Sequence, residues 1–259
     1  MAITFAKPPI NEVVLGVNFL PRLDMLVPHF GRFWNEVREQ YPKVTHAAPL
    51  IPPGSVPLQD PSGTWLPRVW FLADDGSRIV QLQQDCLYVN WRQSDRDQPY
   101  PRFPAIRDEF YRVWELFQAF LVRETLGPPQ ATRMELQYVN AIPQGDGWQS
   151  PADLGGVLRD FKWQSGSRYL PNPRRFAGSF EFELSDGTNL QAKIGMGLRV
   201  ADQREVLRLE LAASSAVVEG MDLPAWVERA HEAIVQAFKD LTTQEMHRDP
   251  WQLEDEQRD

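Results

Sequence analysis

Cysteine is almost absent from this chain: Cys86 is the only one among 259 residues. A single cysteine excludes an internal disulfide and a thiolate metal cluster, and it favours a reducing compartment. The opening segment lacks the basic and apolar regions of an export signal, and no stretch approaches the roughly 18 apolar residues of a membrane span. We therefore predict a cytoplasmic protein that does not contact a membrane.

Positive charge is also scarce. The chain has 27 Lys and Arg residues against 35 Asp and Glu residues, which gives a formal net charge of -8. Part of this excess lies in residues 252–259, which we interpret as an acidic tail. A net negative charge repels phosphate backbones, so nucleic acid and nucleotides are disfavoured as partners, although recognition at a specific site stays open.

Motifs for metals and cofactors are missing as well. The four histidines never occur at a metal-ligand spacing, and the glycine-containing segments match neither the dinucleotide fingerprint nor the phosphate loop. Cys86 has no assignable activating base, and we interpret it as a small structural or exposed residue in a turn. The sequence therefore predicts no metal and no cofactor, assigns no catalytic residue, and leaves enzymatic activity open.

What the chain does have is apolar sequence, 42% of its residues, which is enough for a substantial core. Strand-like β-branched runs and helix-like apolar stripes follow one another in the order β-α-β-β-β-α, and this order occurs twice. We predict an α+β fold with an antiparallel sheet and long helices packed on one face. The halves 1–128 and 129–251 would pack as one globular unit, either as pseudo-repeats forming a saddle or half-barrel or as a coincidence of common parts.

Turn and helix signals define the elements within each half. Asp75-Gly76 and Asp186-Gly187 predict tight hairpin turns, and Asp85-Cys86 predicts a further turn in the first half. Residues 223–247 predict a second long amphipathic helix without interruption. The proline-rich segment 43–66 has no steady period and predicts an extended loop or strap.

Polar side chains alternate with apolar ones along three predicted strands of the second half. Such alternation buries one face of a sheet and leaves the other face solvated, and Phe180 and Phe182 belong to the predicted buried face. The polar face is either a solvated surface or a surface for a partner or ligand. Its candidate residues are Glu135, Glu181, Glu183, Arg208 and Glu210.

One loop is locally basic. Residues 162–176 combine arginine and lysine with aromatic side chains and contain no acid. This combination binds phosphates and stacks on bases, but arginines of an acidic protein also pair with its own carboxylates or lie in interfaces. Ligand contact and intramolecular pairing therefore both stay open. The candidate residues are Lys162, Arg168, Tyr169, Arg174 and Arg175.

The end of the second long helix is a third candidate site. The stretch "KDLTTQEMHRDPW" (239–251) brings His247, Asp249 and Trp251 close together in sequence. A cationic His247 in the last helical turn would meet the negative end of the helix dipole and bond free carbonyls. We interpret the three residues as a helix-end cluster, and a ligand or catalytic role for His247 is the alternative.

Several stretches resemble a known group of sequences. They are "PPINEVVLGVNF", "YPKV", "LQYVNAIP", "EVLRLELA" and "AHEAIVQAFKDLTTQEMHRDPW". Together they resemble a sporadically distributed family of uncharacterised prokaryotic proteins of about this length. The resemblance implies an accessory gene, such as a defence or toxin-antitoxin module, and it implies no functional residue.

Two functions follow from these observations. The first is a non-enzymatic binding or assembly module that engages a protein partner or its own copy, as a homodimer. Its surface would be the polar sheet face, the strap 43–66 or exposed aromatic residues of the last helix. The alternative is a sensor or enzyme that recognises a phosphorylated ligand, a nucleotide or nucleic acid through residues 162–176.

Overall fold

The structure is a computed structural model that describes residues 3–51, 58, 63, 65–95, 98–164, 166, 169–199 and 203–254. The helices are α1 (Val27–Val37), α2 (Phe103–Arg123), α3 (Leu223–Leu241) and α4 (Gln244–Arg248), with a 3-10 helix at Pro151–Gly156. The strands are β1 (Thr4–Phe5), β2 (Ile10–Phe19), β3 (Lys43–Ala47), β4 (Arg68–Leu72), β5 (Arg78–Gln83), β6 (Cys86–Arg92), β7 (Ala131–Pro143), β8 (Ala177–Glu183), β9 (Asn189–Leu198), β10 (Glu205–Ala216) and β11 (Leu253–Glu254).

Nine of these strands form one antiparallel sheet in the order β3-β4-β5-β6-β2-β7-β10-β9-β8, and β1 pairs with β11 in a separate two-stranded sheet. This arrangement confirms a mixed fold of helices and an antiparallel sheet. β3 and β8 stand at the two ends of the strand order, so each has one neighbouring strand among the described residues. No helix in the described ranges is long and apolar enough to cross a membrane.

Contacts divide the chain into two compact units. The first unit comprises Met1–Asn11, Leu136–Ser214 and Asp222–Asp259, and the second unit comprises Glu12–Glu135 and Ser215–Met221. These two units do not have the bounds of the predicted halves 1–128 and 129–251. The division into those halves stays a prediction. Of the acidic tail 252–259, two residues form β11, and residues 255–259 lie outside the described residues.

The second unit is built around aromatic contacts between strands and helices. Phe33 lies on the buried stripe of α1, and its ring centroid is 6.1 Å from that of Phe71 on β4 and 5.3 Å from that of Phe117 on α2. Phe117 also meets Phe19 of β2 at 5.6 Å. Successive residues of a strand point to opposite faces, so the neighbours of Phe71 face away from these helix contacts.

The predicted hairpin turns at Asp75-Gly76 and Asp186-Gly187 are confirmed. Their glycines have φ values of 71° and 80°, a conformation that glycine adopts without steric penalty. The turn predicted at Asp85-Cys86 is shifted by one residue, because Cys86 already begins β6 and is buried. The interpretation of Cys86 as a turn residue is therefore wrong. Burial raises the pKa of its thiol, which keeps it protonated and unreactive at neutral pH.

The segment 43–66 is not a loop throughout. Residues Lys43–Ala47 form β3 and pair antiparallel with β4, with Thr45 opposite Trp70. The run "KVTHA" contains β-branched residues and no proline, so it satisfies the requirements of a strand before the prolines begin. Residues 52–57, 59–62 and 64 of the predicted strap lie outside the described residues.

The helix predicted over 223–247 is two helices. α3 ends at Leu241, and Thr242 is extended, with φ -109° and ψ 160°, before α4 begins. Thr242 forms an isolated β-bridge with Leu158. Thr242 and Thr243 are β-branched, and their hydroxyls compete for backbone groups, so this pair favours an interruption of the helix. The apolar period continues across the break to buried Met246, which is why the pattern predicted one helix.

The aromatic residues of this region are buried. Trp226, Phe238 and Trp251 all belong to the core of the first unit. The ring of Phe238 meets that of Phe5 edge-on at 5.3 Å. The expectation of exposed aromatic residues on the last helix is therefore wrong, because Trp226 is buried and the rings of Phe238 and Trp251 pack against Phe5 of β1.

Candidate functional site

The predicted basic loop, residues 162–176, presents its charges to solvent. Arg174 and Arg175 are exposed, and Tyr169 is fully exposed. Neither of these two arginine side chains forms a hydrogen bond or ion pair within the described part of the chain. Lys162 lines an open depression of the first unit. Arg168 lies outside the described residues.

The predicted polar sheet face consists of separate small contacts. Arg208 and Glu210 form an ion pair at 2.8 Å. Glu181 accepts a hydrogen bond from a glutamine on the neighbouring strand at 2.8 Å. Glu183 is exposed, and Glu135 is half-buried in β7. In the ranges that the structure describes, no group of three or more His, Cys, Asp or Glu residues is arranged to hold a metal ion.

The strand β8 exposes its apolar side chains as well as its acids. Phe180 and Phe182 are 47% and 41% exposed, although the sequence predicts them on the buried face. Their register partners on β9, Ala192 and Leu190, are buried. The prediction of burial is wrong because alternation determines which face a side chain takes, whereas its burial depends on a covering element.

The helix-end cluster is built on a neutral histidine. His247 is buried in α4, and its Nε2 lies 2.7 Å from Oγ1 of Thr242. The Thr242 hydroxyl donates its proton to the carbonyl of Phe238, so His247 Nε2 has to donate to Thr242. Burial, followed by the positive charges of Arg159 and Lys239, lowers the pKa of His247. A neutral imidazole that reaches the end of α3 through a hydroxyl therefore replaces the predicted cation bonded to free carbonyls.

Trp251 completes this cluster from the chain that follows α4. Its ring centroid lies 4.8 Å from that of Phe238 and 6.2 Å from that of His247. Asp249, the third predicted member, is exposed. The structure therefore brings His247 and Trp251 together in an apolar core, where they stabilise the first unit.

We expect His247 to make stability depend on pH. Burial lowers the pKa of folded His247, so the unfolded chain binds more protons as the pH falls through the ordinary value of about 6.5, and stability is lost. Urea unfolding between about pH 7.5 and pH 5.5 measures this loss. The variant His247→Gln keeps a side-chain donor but cannot titrate, so its free energy of unfolding should fall less over the same range. Equal slopes in the two proteins would contradict the prediction.

A cavity of about 390 Å³ in the second unit has Glu109 in its wall. Arg112 donates to both carboxylate oxygens of Glu109, at 2.8 and 2.9 Å, and the hydroxyl of Tyr41 also donates to this carboxylate. Burial acts to raise the pKa of Glu109, but the hydrogen bonds from Arg112 and Tyr41 outweigh it and lower the pKa. Glu109 is therefore an ionised, fully engaged carboxylate, which is the wrong state for a general acid.

Sequence reasoning missed a polar cluster on the sheet of the second unit. Trp70 of β4 lies opposite Gln81 of β5, and Arg68 shares their face because it is two residues from Trp70. Arg68 Nε, Trp70 Nε1 and Gln81 Oε1 are buried and have no hydrogen-bond partner in the described structure. The sequence could have indicated this cluster only through single polar residues within otherwise apolar strands. These are Arg68 in "RVWFL" and Gln81 in "RIVQLQ".

In comparisons with known proteins, no protein-family model, no curated protein and no solved structure matches this chain. The resemblance to uncharacterised prokaryotic proteins therefore remains a prediction. The function has to be inferred from the geometry of the chain itself.

Proposed function

We propose that the protein is a non-enzymatic assembly module whose β8 edge pairs with the β8 edge of a second copy. The observation that carries this proposal is the exposure of Phe180 and Phe182 on a strand that has one neighbouring strand in the described part of the chain. Apolar surface removed from water contributes about 25 cal/mol per Å². Association that covers these rings on both copies is therefore favourable.

The backbone of β8 supports the same contact. An edge strand presents unpaired N–H and C=O groups, and a further strand can satisfy them by extending the sheet. Proteins block such edges with proline, with bulges or with charges that point inward. The sequence of β8, "AGSFEFE", has no proline, and its two acids lie on the face opposite Phe180 and Phe182.

The charges around β8 favour a second copy as the occupant. Arg174 and Arg175 precede the strand, whereas Glu181 and Glu183 lie at its end, so the segment is positive at one end and negative at the other. Antiparallel pairing of two identical segments brings the positive end of each to the negative end of the other. The interface is thus complementary to itself, as a two-fold dimer requires.

A two-fold axis at Ser179 describes the register that we propose. It places Arg175 of one copy opposite Glu183 of the other, and Phe176 opposite Phe182, and both pairs occur twice. Residues directly opposite each other share a sheet face, so the charged pairs lie on one face and the aromatic pairs on the other.

The finer features of the fold belong to the same proposal. The order β2, α1, β4, β5, β6, α2 is followed by β7, the 3-10 helix, β8, β9, β10 and α3, which supports a duplicated β-α-β-β-β-α pattern with β3 as an addition. The ring contact between α2 and β2 supports long helices packed on one face of the sheet. A saddle or half-barrel, a cytoplasmic location and an accessory role complete the proposal.

The alternative function is recognition of a phosphorylated ligand, a nucleotide or nucleic acid by the basic loop. It is favoured by the exposed Arg174 and Arg175, whose side chains have no partner within the described residues. In the dimer Arg175 is neutralised by Glu183, and in the alternative it is neutralised by phosphate. Binding of a labelled single-stranded oligonucleotide at physiological salt, lost in the Arg174→Ala, Arg175→Ala protein with unchanged melting temperature, would support the alternative.

We expect sedimentation equilibrium to show a monomer–dimer equilibrium for the wild-type protein. Arg175→Glu and Glu183→Arg should each weaken dimerisation by about tenfold, because each turns two attractive cross-strand pairs into repulsive ones. The protein that carries both substitutions should regain the wild-type dissociation constant, since the pairs are attractive again with the charges exchanged.

Two further variants distinguish dimerisation through β8 from association through any exposed apolar residue. Phe182→Asp should abolish the dimer, whereas Val218→Asp, at another exposed apolar residue outside β8, should leave it unchanged. The proposal would be overturned if the wild-type protein stays monomeric, or if Arg175→Glu and Glu183→Arg leave the dissociation constant of the dimer unchanged.

A further inference from the structure

Three buried polar atoms on the paired strands β4 and β5 have no hydrogen-bond partner among the described residues: Arg68 Nε, Trp70 Nε1 and Gln81 Oε1. A buried polar group left without a partner costs about 1–3 kcal/mol, so such groups are rare and each needs an explanation. Two of these atoms are donors and one is an acceptor. Because they are neighbours, one ligand can satisfy all three.

Their positions on the sheet place them side by side. Trp70 and Gln81 are register partners, and Arg68 lies on the same face of β4. The Cζ atom of Arg68 is 5.4 Å from the centroid of the Trp70 ring, so the guanidinium lies over the indole. Phe71, the next residue, points to the opposite face and contacts Phe33 of α1. The three polar atoms therefore belong to the face away from that contact.

A chain of hydrogen bonds fixes the orientation of the Gln81 amide. Asn90 Nδ2 donates to the carboxylate of Glu12 at 2.7 Å, and Gln81 Nε2 donates to Asn90 Oδ1 at 2.7 Å. Turning the Gln81 amide over would set its oxygen against Asn90 Oδ1, which is a second acceptor. Gln81 is 7% exposed, so its Oε1 is held as a buried acceptor that lacks a donor.

The next polar residue of β5 provides a comparison. The Gln83 amide accepts a hydrogen bond from the Leu50 N–H at 2.8 Å and donates one to the Leu50 carbonyl at 3.0 Å. Gln83 Nε2 also donates to Asp85 Oδ1 at 2.7 Å, so the Gln83 amide is fully paired on the same sheet face as Gln81. On β4 and β5, the buried polar atoms without a partner in the described structure are therefore those of Arg68, Trp70 and Gln81.

The charge of Arg68 indicates which ligand fits. In the part of the chain that the structure describes, its guanidinium forms no ion pair. Burial lowers its pKa, and the ionisable groups that act on it are Cys86 and Tyr88. Burial raises the pKa of both, so both are uncharged at neutral pH and leave the positive charge of Arg68 without compensation. A half-buried guanidinium with neutral neighbours favours an anion.

We propose that Arg68, Trp70 and Gln81 bind the anionic group of a small molecule, a carboxylate or phosphate that carries a hydroxyl or amine donor. Arg68 Nε–H and Trp70 Nε1–H donate to the oxyanion, and Gln81 Oε1 accepts from the hydroxyl or amine. The Trp70 ring holds the guanidinium in place by a cation–π contact. This site is independent of the β8 edge.

The test follows the two N–H groups directly by nitrogen-15 NMR. The Arg68 Nε–H and Trp70 indole signals, assigned with Arg68→Met and Trp70→Phe, are titrated with inorganic phosphate and separately with glycolate, at constant ionic strength. We expect both signals to shift together and to saturate with at least one probe. The probe that binds more tightly identifies the anionic group as phosphate or carboxylate.

Substitutions provide the control. Arg68→Met should weaken binding by about tenfold or more, because it removes a charge-assisted hydrogen bond. Gln81→Glu keeps the size of the side chain and should also abolish binding, since it places a negative charge against the anion. Arg78→Met removes another arginine that lies over a ring, that of Tyr41 at 5.7 Å, and should leave the titration unchanged. If neither probe moves the signals beyond the effect of sodium chloride, or if Arg68→Met binds like wild type, the proposal is overturned.

Discussion

Replacement of Trp251 by alanine is expected to lower the free energy of unfolding by about 3–5 kcal/mol. Trp251 is 3% exposed, and its ring contacts those of Phe238, His247 and Phe5. Removing it deletes a large apolar side chain and leaves a cavity that the surrounding rings fill only in part. Its position also fixes the start of the chain, because Lys7 donates its N–H to the carbonyl of Trp251 at 3.0 Å.

Urea unfolding of the purified protein measures the Trp251→Ala effect. The matched control is Trp65→Ala, which removes the same side chain from an exposed position and should change the free energy of unfolding by no more than about 0.5 kcal/mol. Hydrogen exchange at the Lys7 N–H adds a local readout, which should accelerate in Trp251→Ala. Equal losses of stability in the two variants would contradict the prediction.

The second large effect is expected for Gly16→Ala, at about 3 kcal/mol of destabilisation. A Cβ atom at Gly16 would lie 2.1 Å from Cδ1 of Tyr88 and 2.7 Å from the carbonyl oxygen of Leu87. Tyr88 is buried and donates its hydroxyl proton to Asn18 at 3.1 Å, so its ring is held in place. The Leu87 oxygen belongs to the backbone of β6 and moves only with the strand.

Gly31→Ala makes the same chemical change where space is open. Nothing lies within 4 Å of a Cβ built at Gly31, which is inside α1, so alanine should stabilise the protein by about 0.5–1 kcal/mol. Thermal unfolding of the two variants should therefore shift in opposite directions from wild type. If the Gly16→Ala protein is as stable as wild type, β2 and β6 can move apart at little cost. That result would contradict the prediction, which assumes that Tyr88 and the Leu87 carbonyl are held in place.

Elements dictated by local sequence could be predicted well. The alternation of polar and apolar residues in "ATRMELQYVNAIP" predicts one strand, and the stretch is β7, Ala131–Pro143. The apolar residues from Phe103 onward recur at three- and four-residue steps, which predicts a helix, and this stretch is α2, Phe103–Arg123. In both cases the period of apolar residues and the flanking prolines or glycines act over a few residues, so no distant contact was needed to define the element.

Features that depend on distant neighbours could not be predicted. The exposure of Phe180 follows from the place of β8 at the end of the strand order, which the alternation of β8 does not contain. The break at Thr242 is accompanied by a bridge to Leu158, far away in sequence, which the apolar period of the helix does not contain. Both errors arise because periodicity describes one element at a time, whereas burial and helix ends depend on what packs against it.

The candidate sites show the same limit. The basic loop was recognisable in the sequence because its arginines and aromatic residues are adjacent, but the structure was needed to show that Arg174 and Arg175 are exposed. The cluster of Arg68, Trp70 and Gln81 is assembled by the pairing of β4 with β5. Single polar residues inside apolar strands gave a weak signal, and the register was needed to show that they are neighbours.

The pairing of β1 with β11 has a consequence for synthesis on the ribosome. Thr4 lies opposite Glu254, so the two-stranded sheet joins segments near the two ends of the described chain. Residues 12–135, which make up most of the second unit, emerge as one uninterrupted stretch. The first unit has to wait for Trp251 before Phe5 can be covered, and contacts of such high contact order form slowly. Translation that stops before Trp251 therefore leaves the early segment around Phe5 without its partner and open to chaperones or aggregation.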